Sequence, residues 1–156
     1  ISSGGEPMTR RRGAAMVEIA LVLPVLLLLL LGIIEFGLIL NDQLLLRQSA
    51  EEGARAAAVL GKPVGDVTSV TVEAAKPTVL QPGMVQVEYF DPSSKVWLPA
   101  GDIADGSGND VPRGAMIRVS IVGYRHRLVT GSFFSFLPGC QDGTLAMTAS
   151  AVRGRE

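Results

Sequence analysis

The chain has 156 residues, a formal net charge of −1, a single histidine and a single cysteine. This length allows one small domain in addition to an apolar N-terminal segment. The nearly balanced charge lacks the basic excess of nucleic-acid-binding domains, so we expect no nucleic-acid partner. A lone histidine, His126, excludes a multi-histidine metal site, and a lone cysteine, Cys140, excludes an internal disulfide. We expect Cys140 to be a small buried apolar residue rather than an intermolecular bridge.

Three arginines, Arg10 to Arg12, precede a long apolar segment. No charged residue occurs from Ile19 to Ile34, and apolar residues continue to Leu40. About twenty helical residues match a hydrocarbon core of about 30 Å, so residues 14–40 are predicted to form a transmembrane helix. The positive-inside rule places the N-terminus in the cytoplasm and everything after Leu40 outside. The segment is longer than the apolar part of a usual secretory signal peptide, but an uncleaved signal anchor stays open.

Two carboxylates and a proline interrupt this apolar segment. A cut after Gly13 would create an amine on Ala14, and Glu18 would then lie one helical turn away on the same face. Pairing of that amine with the carboxylate would offset much of the cost of burying each charge. Glu35 follows about 25 Å further along an ideal helix and about 100° around it. Exposure to lipid headgroups and a second contact within the membrane are both open for Glu35, and Pro24 should kink the helix.

The order of these residues resembles the processing site of type IV pilins. Two stretches are similar to the TadE-like pilins of tight-adherence (Tad, or Flp) pilus systems: Arg11-Arg12-Gly13-Ala14-Ala15-Met16-Val17-Glu18 and Gly32-Ile33-Ile34-Glu35-Phe36-Gly37. The resemblance implies that a membrane peptidase cuts between Gly13 and Ala14 and that Glu18 docks the subunit onto its neighbours. Ile19 stands where major Flp pilins usually have tyrosine, which, with the longer chain, points to a minor pilin or pseudopilin.

This resemblance implies a structural protein that is assembled into, or primes assembly of, a Tad pilus used in surface adherence. The implied partners are other pilin subunits, the prepilin peptidase, the inner-membrane assembly platform and membrane lipid, with no cofactor. The protein would lie in the bacterial inner membrane with its head outside the cytoplasm, and in the extracellular pilus after assembly. The alternative is an uncleaved, membrane-anchored extracytoplasmic domain that binds a ligand. No nucleophile elbow, phosphate-binding loop or CxxC pair supports an enzyme.

The chain is predicted to divide into a leader over residues 1–13, the membrane helix, its extracytoplasmic continuation over residues 41–61 and a head over residues 62–156. Residues 41–61 are rich in helix formers, and Gly61-Lys62-Pro63 is a helix stop. One stripe of this continuation is apolar or small, and it consists of Leu46, Ala50, Gly53, Ala54, Ala57 and Leu60. We expect one helix from about Ala14 to Leu60, whose second half supports the head. Glu51 and Arg55 are spaced for an ion pair.

The head is predicted to be α+β, with a small antiparallel sheet of three strands packed on the outer half of the long helix, as in type IV pilins. A short helix capped by Asp66 is favoured before Pro77, although Val70, Val72 and Ala74 also fit a strand. Alternating residues predict strands over Met84–Phe90, Ala115–Leu128 and Thr144–Val152, and Lys95–Leu98 is a candidate return strand. TadE-like chains also tend to end in Arg-x-Glu, which Arg153-Gly154-Arg155-Glu156 matches with a shift of one position.

Three further groups of residues are weighed as candidate sites. His126 lies between two arginines at a strand end, and we expect it to be exposed. Asp102, Asp105 and Asp110 lie in a glycine-rich loop, but their spacing does not match a calcium-binding loop, so no metal site is predicted. Phe133, Phe134 and Phe136 are expected to fill the bottom of the core, and an exposed adhesive tip is the alternative.

Overall fold

The computed structural model of the protein describes residues 8–59, 62–105, 108–134 and 138–155. The chain divides into two compact units, Ile1–Gly37 and Leu38–Glu156. One helix, α1 (Met8–Ala58), contributes to both units. It begins before the predicted start at Ala14, and Leu60 lies outside the described residues. The second unit also contains the sheet.

The first unit is the apolar part of α1. By length and composition, Gly13–Ala58 can span a membrane. Every large apolar side chain from Met16 to Ile34 is exposed, by 45% to 74%. These side chains therefore have no core to bury them within the chain, and a buried core helix is excluded as an explanation of the segment. The helix is continuous through Pro24, and a kink there stays a prediction.

The second unit contains a five-stranded antiparallel sheet. Its strands are β1 (Val85–Asp91), β2 (Val96–Pro99), β3 (Met116–Arg127), β4 (Cys140–Gln141) and β5 (Thr144–Gly154). Their spatial order is β2-β1-β3-β5-β4. The predicted α+β class with an antiparallel sheet is confirmed, but three strands are too few. The strand β4 was missed because two residues are too short to show an alternating pattern.

The outer half of α1 packs against this sheet along the predicted stripe. Leu46 and Ala50 join one apolar cluster with Ile121, Met147 and Ala149 of the sheet. A second cluster contains residues of α1, α2, β1, the loop before β3, and β3, namely Ala54, Ala57, Val67, Val87, Val111, Ile117 and Val119. Small residues in the stripe let neighbouring elements come close to the helix axis.

A second helix, α2 (Val64–Ala74), confirms the short helix that was favoured over a strand. It begins directly after Pro63, so Asp66 lies in its first turn and the prediction of Asp66 as the cap is wrong. At Gly53 of α1, an added Cβ would collide with Thr71 Oγ1 of α2. Glycine is therefore required there by the close approach of the two helices.

A β-bulge divides β3 into two segments. Ile121 is paired with Ala149 and Tyr124 with Met147, so β3 has one extra residue between these pairs. Gly123 accommodates the bulge with a φ of 80°. One extra residue exchanges the two faces of a strand. Before the bulge the odd-numbered residues Ile117, Val119 and Ile121 are buried, whereas after it the even-numbered His126 is buried.

Candidate functional site

The predicted processing site lies on the exposed surface of the first unit. Gly13, Ala14 and Glu18 all belong to α1 and are all exposed. A Cβ added at Gly13 would meet nothing within 4 Å, so packing inside the chain does not require glycine at this position. The bond between Gly13 and Ala14 is part of the helix, so a peptidase would have to open the helix locally before cutting it.

Glu18 is a single carboxylate on an otherwise apolar helix surface. With Ile19, Val22, Leu23 and Leu26 it lines a shallow, mostly apolar depression. Ala14 and Glu18 are one turn apart on the same side of the helix, as their spacing predicts. Among the side chains that the structure describes, Glu18 has no ion-pair partner. Such an isolated carboxylate is suited to pairing with a cation supplied from outside this helix.

The other predicted positions of the segment differ in their surroundings. Glu35 is buried, with 2% exposure, which does not fit the alternative of a carboxylate exposed to lipid headgroups. A second contact within the membrane stays a prediction for Glu35. A Cβ at Gly32 or Gly37 would meet nothing within 4 Å, so neither glycine is required by packing within the chain.

In the second unit, a polar cluster that was not predicted from the sequence joins α1 to β3. Asp42 Oδ2 lies 2.7 Å from His126 Nδ1, and Tyr124 Oη donates a hydrogen bond to the same oxygen at 2.8 Å. His126 is 8% exposed, so its prediction as an exposed residue is wrong. Strand alternation places residue 126 on the face of the half-buried Arg118, opposite Ile117 and Val119, and only the bulge turns it inward.

Burial and the hydrogen bond from Tyr124 to Asp42 raise the pKa of the Tyr124 phenol well above its usual value of about 10. Burial is the larger cause, because the phenolate would lose hydration, and the nearby carboxylate further disfavours a second negative charge. The phenol therefore stays protonated and continues to donate its hydrogen bond. This cluster contains no nucleophile arranged for catalysis, and its geometry is that of a clamp between helix and sheet.

A second buried polar group lies at the C-terminal end of α1. Arg155 and Asn109 are 8% and 1% exposed, and the Arg155 guanidinium donates to the Asn109 side-chain oxygen. Asn109 Nδ2 donates to the carbonyl oxygens of Ala57, at 3.3 Å, and Lys62, at 2.9 Å. Arg155 thus supports, through Asn109, a carbonyl group that the last turn of the helix leaves unpaired.

Two of the remaining candidate residues, Asp102 and Asp110, accept hydrogen bonds from the backbone of the fold. Asp102 Oδ1 accepts a hydrogen bond from the backbone of Val64 at 2.5 Å, at the first turn of α2. Asp110 Oδ1 accepts one from Gly101 at 2.7 Å. Within the described part of the chain, no cluster of three acidic, histidine or cysteine residues is placed to hold a metal ion.

Two predictions for the far end of the sheet have different outcomes. Cys140 is buried and has no disulfide partner, as expected for a small apolar residue. Phe133 is 56% exposed, so its prediction as a core residue is wrong. Phe136 and the side chain of Phe134 lie outside the described residues.

Comparison with known proteins identifies the helix that carries the candidate site. The family model of TadE-like proteins matches residues 13–55, which begin at the predicted processing site and end within the outer half of α1. No curated protein and no solved structure matches the chain significantly. Residues 13–55 are therefore similar to TadE-like proteins, and the helix that contains them is long and apolar enough for membrane anchoring.

Proposed function

We propose that the protein is a minor pilin or pseudopilin, cut between Gly13 and Ala14, that joins or primes assembly of a Tad pilus used in surface adherence. The observation that carries this proposal is the apolar surface of α1, whose large side chains are exposed from Met16 to Ile34 and which includes the exposed carboxylate of Glu18. Such a surface is stable only in lipid or against other apolar helices. A pilin occupies these two environments in succession.

The first environment is the membrane. The segment 14–40 would cross the inner membrane with the N-terminus in the cytoplasm and the head outside. Leucine at the centre of a membrane helix contributes about −0.5 kcal/mol, and a carboxylate there costs about 2.5 to 3.5 kcal/mol. The six consecutive leucines, Leu26 to Leu31, together with their apolar neighbours, outweigh the cost of Glu18. The helix is thus able to insert before any assembly takes place.

The presence of a glycine at the predicted cut supports processing. Nothing in the chain occupies the space that a side chain at Gly13 would enter, and glycine lowers helix stability by about 1 kcal/mol relative to alanine. A glycine that the fold does not need is consistent with selection by a protease, which has to open the helix and fit the residue into its active site. The partner implied at this step is the prepilin peptidase.

The second step is docking onto other subunits, for which Glu18 supplies a carboxylate. After the cut, the new ammonium group of Ala14 would lie one turn away, either on the same chain or on a neighbouring subunit. A carboxylate and an ammonium that meet in an apolar environment offset much of each other's desolvation cost. The same surface would then pack against other pilin helices at the inner-membrane assembly platform. Glu35, which is buried within the chain, would make a contact in the membrane that is distinct from that of Glu18.

Mass spectrometry of the mature N-terminus tests this proposal directly. The protein is produced together with its prepilin peptidase, and the expected N-terminal residue is Ala14. Loss of residues 1–13 removes three arginines and one glutamate, so the net charge should fall from −1 to about −3, which isoelectric focusing detects independently. Retention of Arg10 to Arg12 in the presence of an active peptidase would contradict processing and favour the uncleaved, ligand-binding anchor.

A further inference from the structure

The outer edge of β5 is largely uncovered. Along its other edge, β5 is paired with β3 from Thr144 to Gly154. On the outer edge, β4 is paired only with Thr144 and Leu145. Within the described part of the chain, no strand covers the outer edge from Met147 to Gly154. A strand edge of this length normally has a partner or a protective feature.

The backbone groups that face this edge follow from two hydrogen bonds. Arg155 N donates to Ala115 O beside β3, whereas Ala146 N donates to Gly139 O on the β4 side. Because backbone groups of successive strand residues point to opposite edges, the even-numbered residues of β5 face outward. Ser150, Val152 and Gly154 therefore present N–H and carbonyl groups that have no partner among the described residues.

One side chain limits the open edge at its start. Gln43 Nε2 of α1 donates to the carbonyl oxygen of Thr148 at 3.2 Å. This contact covers a single acceptor and leaves the positions from Ser150 onward accessible. The side chains of Ser150 and Val152 are exposed as well, Val152 by 48%. The accessible edge is thus a short row of alternating donors and acceptors at the spacing of a β-strand.

The other edge of the sheet, at β2, is protected, so strand addition is expected at β5 and not at β2. The strand β2 has only four residues and ends at Pro99, which has no N–H group to donate. The stretch from Met147 to Gly154 contains neither proline nor lysine, and the bulge of the sheet lies in β3 rather than in β5. Proline, lysine and a bulge, three of the common means of preventing strand addition, are therefore absent from this stretch of β5.

The charges beside the open edge indicate which partner it fits. Arg47 of α1 lines a surface depression formed by residues of β3 and β5, and it lies one helical turn after Gln43, which contacts the outer edge at Thr148. Arg153 lies near the other end of the edge. Both arginines are exposed, and neither forms an ion pair with a described residue. An antiparallel second copy centred on Ala151 would bring Arg47 of each chain near Arg153 of the other, and this like-charge approach disfavours self-pairing.

We propose that the outer edge of β5 binds an extended segment of another protein by strand addition, and that this segment has an acidic side chain near each end. The backbone hydrogen bonds to Ser150, Val152 and Gly154 supply affinity, and Arg47 and Arg153 select the carboxylates. This inference does not depend on processing at Gly13, since every residue involved belongs to the second unit.

The test uses the full chain in detergent micelles and a blocked synthetic peptide, Glu-Val-Thr-Val-Thr-Val-Glu. We expect saturable binding that shifts the amide NMR signals of Ser150 and Val152. A matched peptide with lysine at both ends should bind at least about tenfold more weakly, because charge attraction becomes repulsion. Ser150→Pro removes one outward N–H and should abolish binding, whereas Ser150→Ala keeps that N–H and should bind normally.

Peptides with N-methyl groups on alternate residues test the edge without changing the protein, in case Ser150→Pro does not fold. One of the two alternate sets should lose binding and the other should keep it, because only one edge of the peptide faces β5. Absence of binding, equal effects of both sets, or shifts confined to other strands would overturn the proposal. Concentration-dependent dimers of the chain that Ser150→Pro dissociates would overturn it too, since the edge would then hold a second copy.

Discussion

Asp42 and His126 meet between α1 and β3, with 2.7 Å from Asp42 Oδ2 to His126 Nδ1, although 84 residues separate them in sequence. The same carboxylate accepts the hydrogen bond of Tyr124, so one side chain of the helix holds two residues of the strand. The apolar stripe of α1 allows the helix to lie on the sheet, but apolar contacts are not directional. Hydrogen bonds are directional, and this cluster therefore selects one position of the helix on the sheet.

Replacement of Tyr124 by phenylalanine tests the strength of this clamp. Tyr124→Phe should lower the free energy of unfolding by about 1 kcal/mol, because it removes one hydrogen bond to a partly buried carboxylate and keeps the ring. Urea unfolding of the full chain in micelles, followed by circular dichroism, measures the change. Tyr89→Phe is the matched control, because the described structure shows no side-chain hydrogen bond of Tyr89, and its stability should be unchanged.

The raised pKa of Tyr124 also predicts an effect of alkaline pH. Folding favours the protonated phenol, so its contribution to stability is complete below the unfolded pKa of about 10 and is lost as the pH rises toward the higher folded value. The wild-type protein should therefore lose more stability than Tyr124→Phe above a pH of about 10. Equal losses in the two proteins would contradict a phenol held protonated by burial and Asp42.

Gly13→Leu should block processing without affecting the fold. The structure has room for the new side chain, and leucine is a better helix former than glycine. Immunoblots with the peptidase present should show only the longer form. Gly32→Leu is the matched control, because an added Cβ at Gly32 also meets nothing within 4 Å, and it should be processed normally. Normal cleavage of Gly13→Leu would show that the peptidase does not select this glycine.

Glu18→Ala should separate processing from assembly. Loss of the carboxylate lowers the cost of membrane insertion and leaves Gly13 in place, so the mature form should accumulate. Docking should fail, because the ammonium group at a mature N-terminus would lose its partner. The measurement is the amount of this protein in sheared surface filaments, with Met16→Ala as a control on the same exposed helix. Wild-type amounts of Glu18→Ala protein in filaments would refute the docking role.

Arg155→Ala should destabilise the second unit more than any other substitution in the C-terminal segment. It removes a buried charged donor and leaves the Asn109 side-chain oxygen with only the 3.4 Å hydrogen bond from Val111 N, at a cost of about 1.5 to 3 kcal/mol. Arg153→Ala, two residues earlier and exposed, should change the free energy of unfolding by at most about 0.5 kcal/mol. Equal stability of the two variants would show that the contact between Arg155 and Asn109 contributes little to folding.

Local patterns in the sequence account for most of the secondary structure. The apolar run and its helix formers specify α1, and alternation specifies β1, β3 and β5 within a few residues of their observed bounds. The described residues of the predicted stripe, from Leu46 to Ala57, are buried against the sheet and α2. The stripe could be predicted because helix periodicity depends only on neighbouring residues of one chain segment. The candidate processing residues were also proposed from a local motif, and the match to the family model begins at Gly13.

The tertiary structure alone decided what depends on contacts between distant segments. Alternation assigns His126 to the exposed face of β3, and the extra residue at the bulge moves it to the buried face beside Asp42. The pairing of Arg55 with Glu52 instead of Glu51, and the approach of Asp102 to α2, were also unpredicted. A sequence pattern records which residues avoid water, whereas a bulge and a long-range hydrogen bond depend on how separate elements fit together, and Asp42, His126 and Arg155 acquire their roles only from that fit.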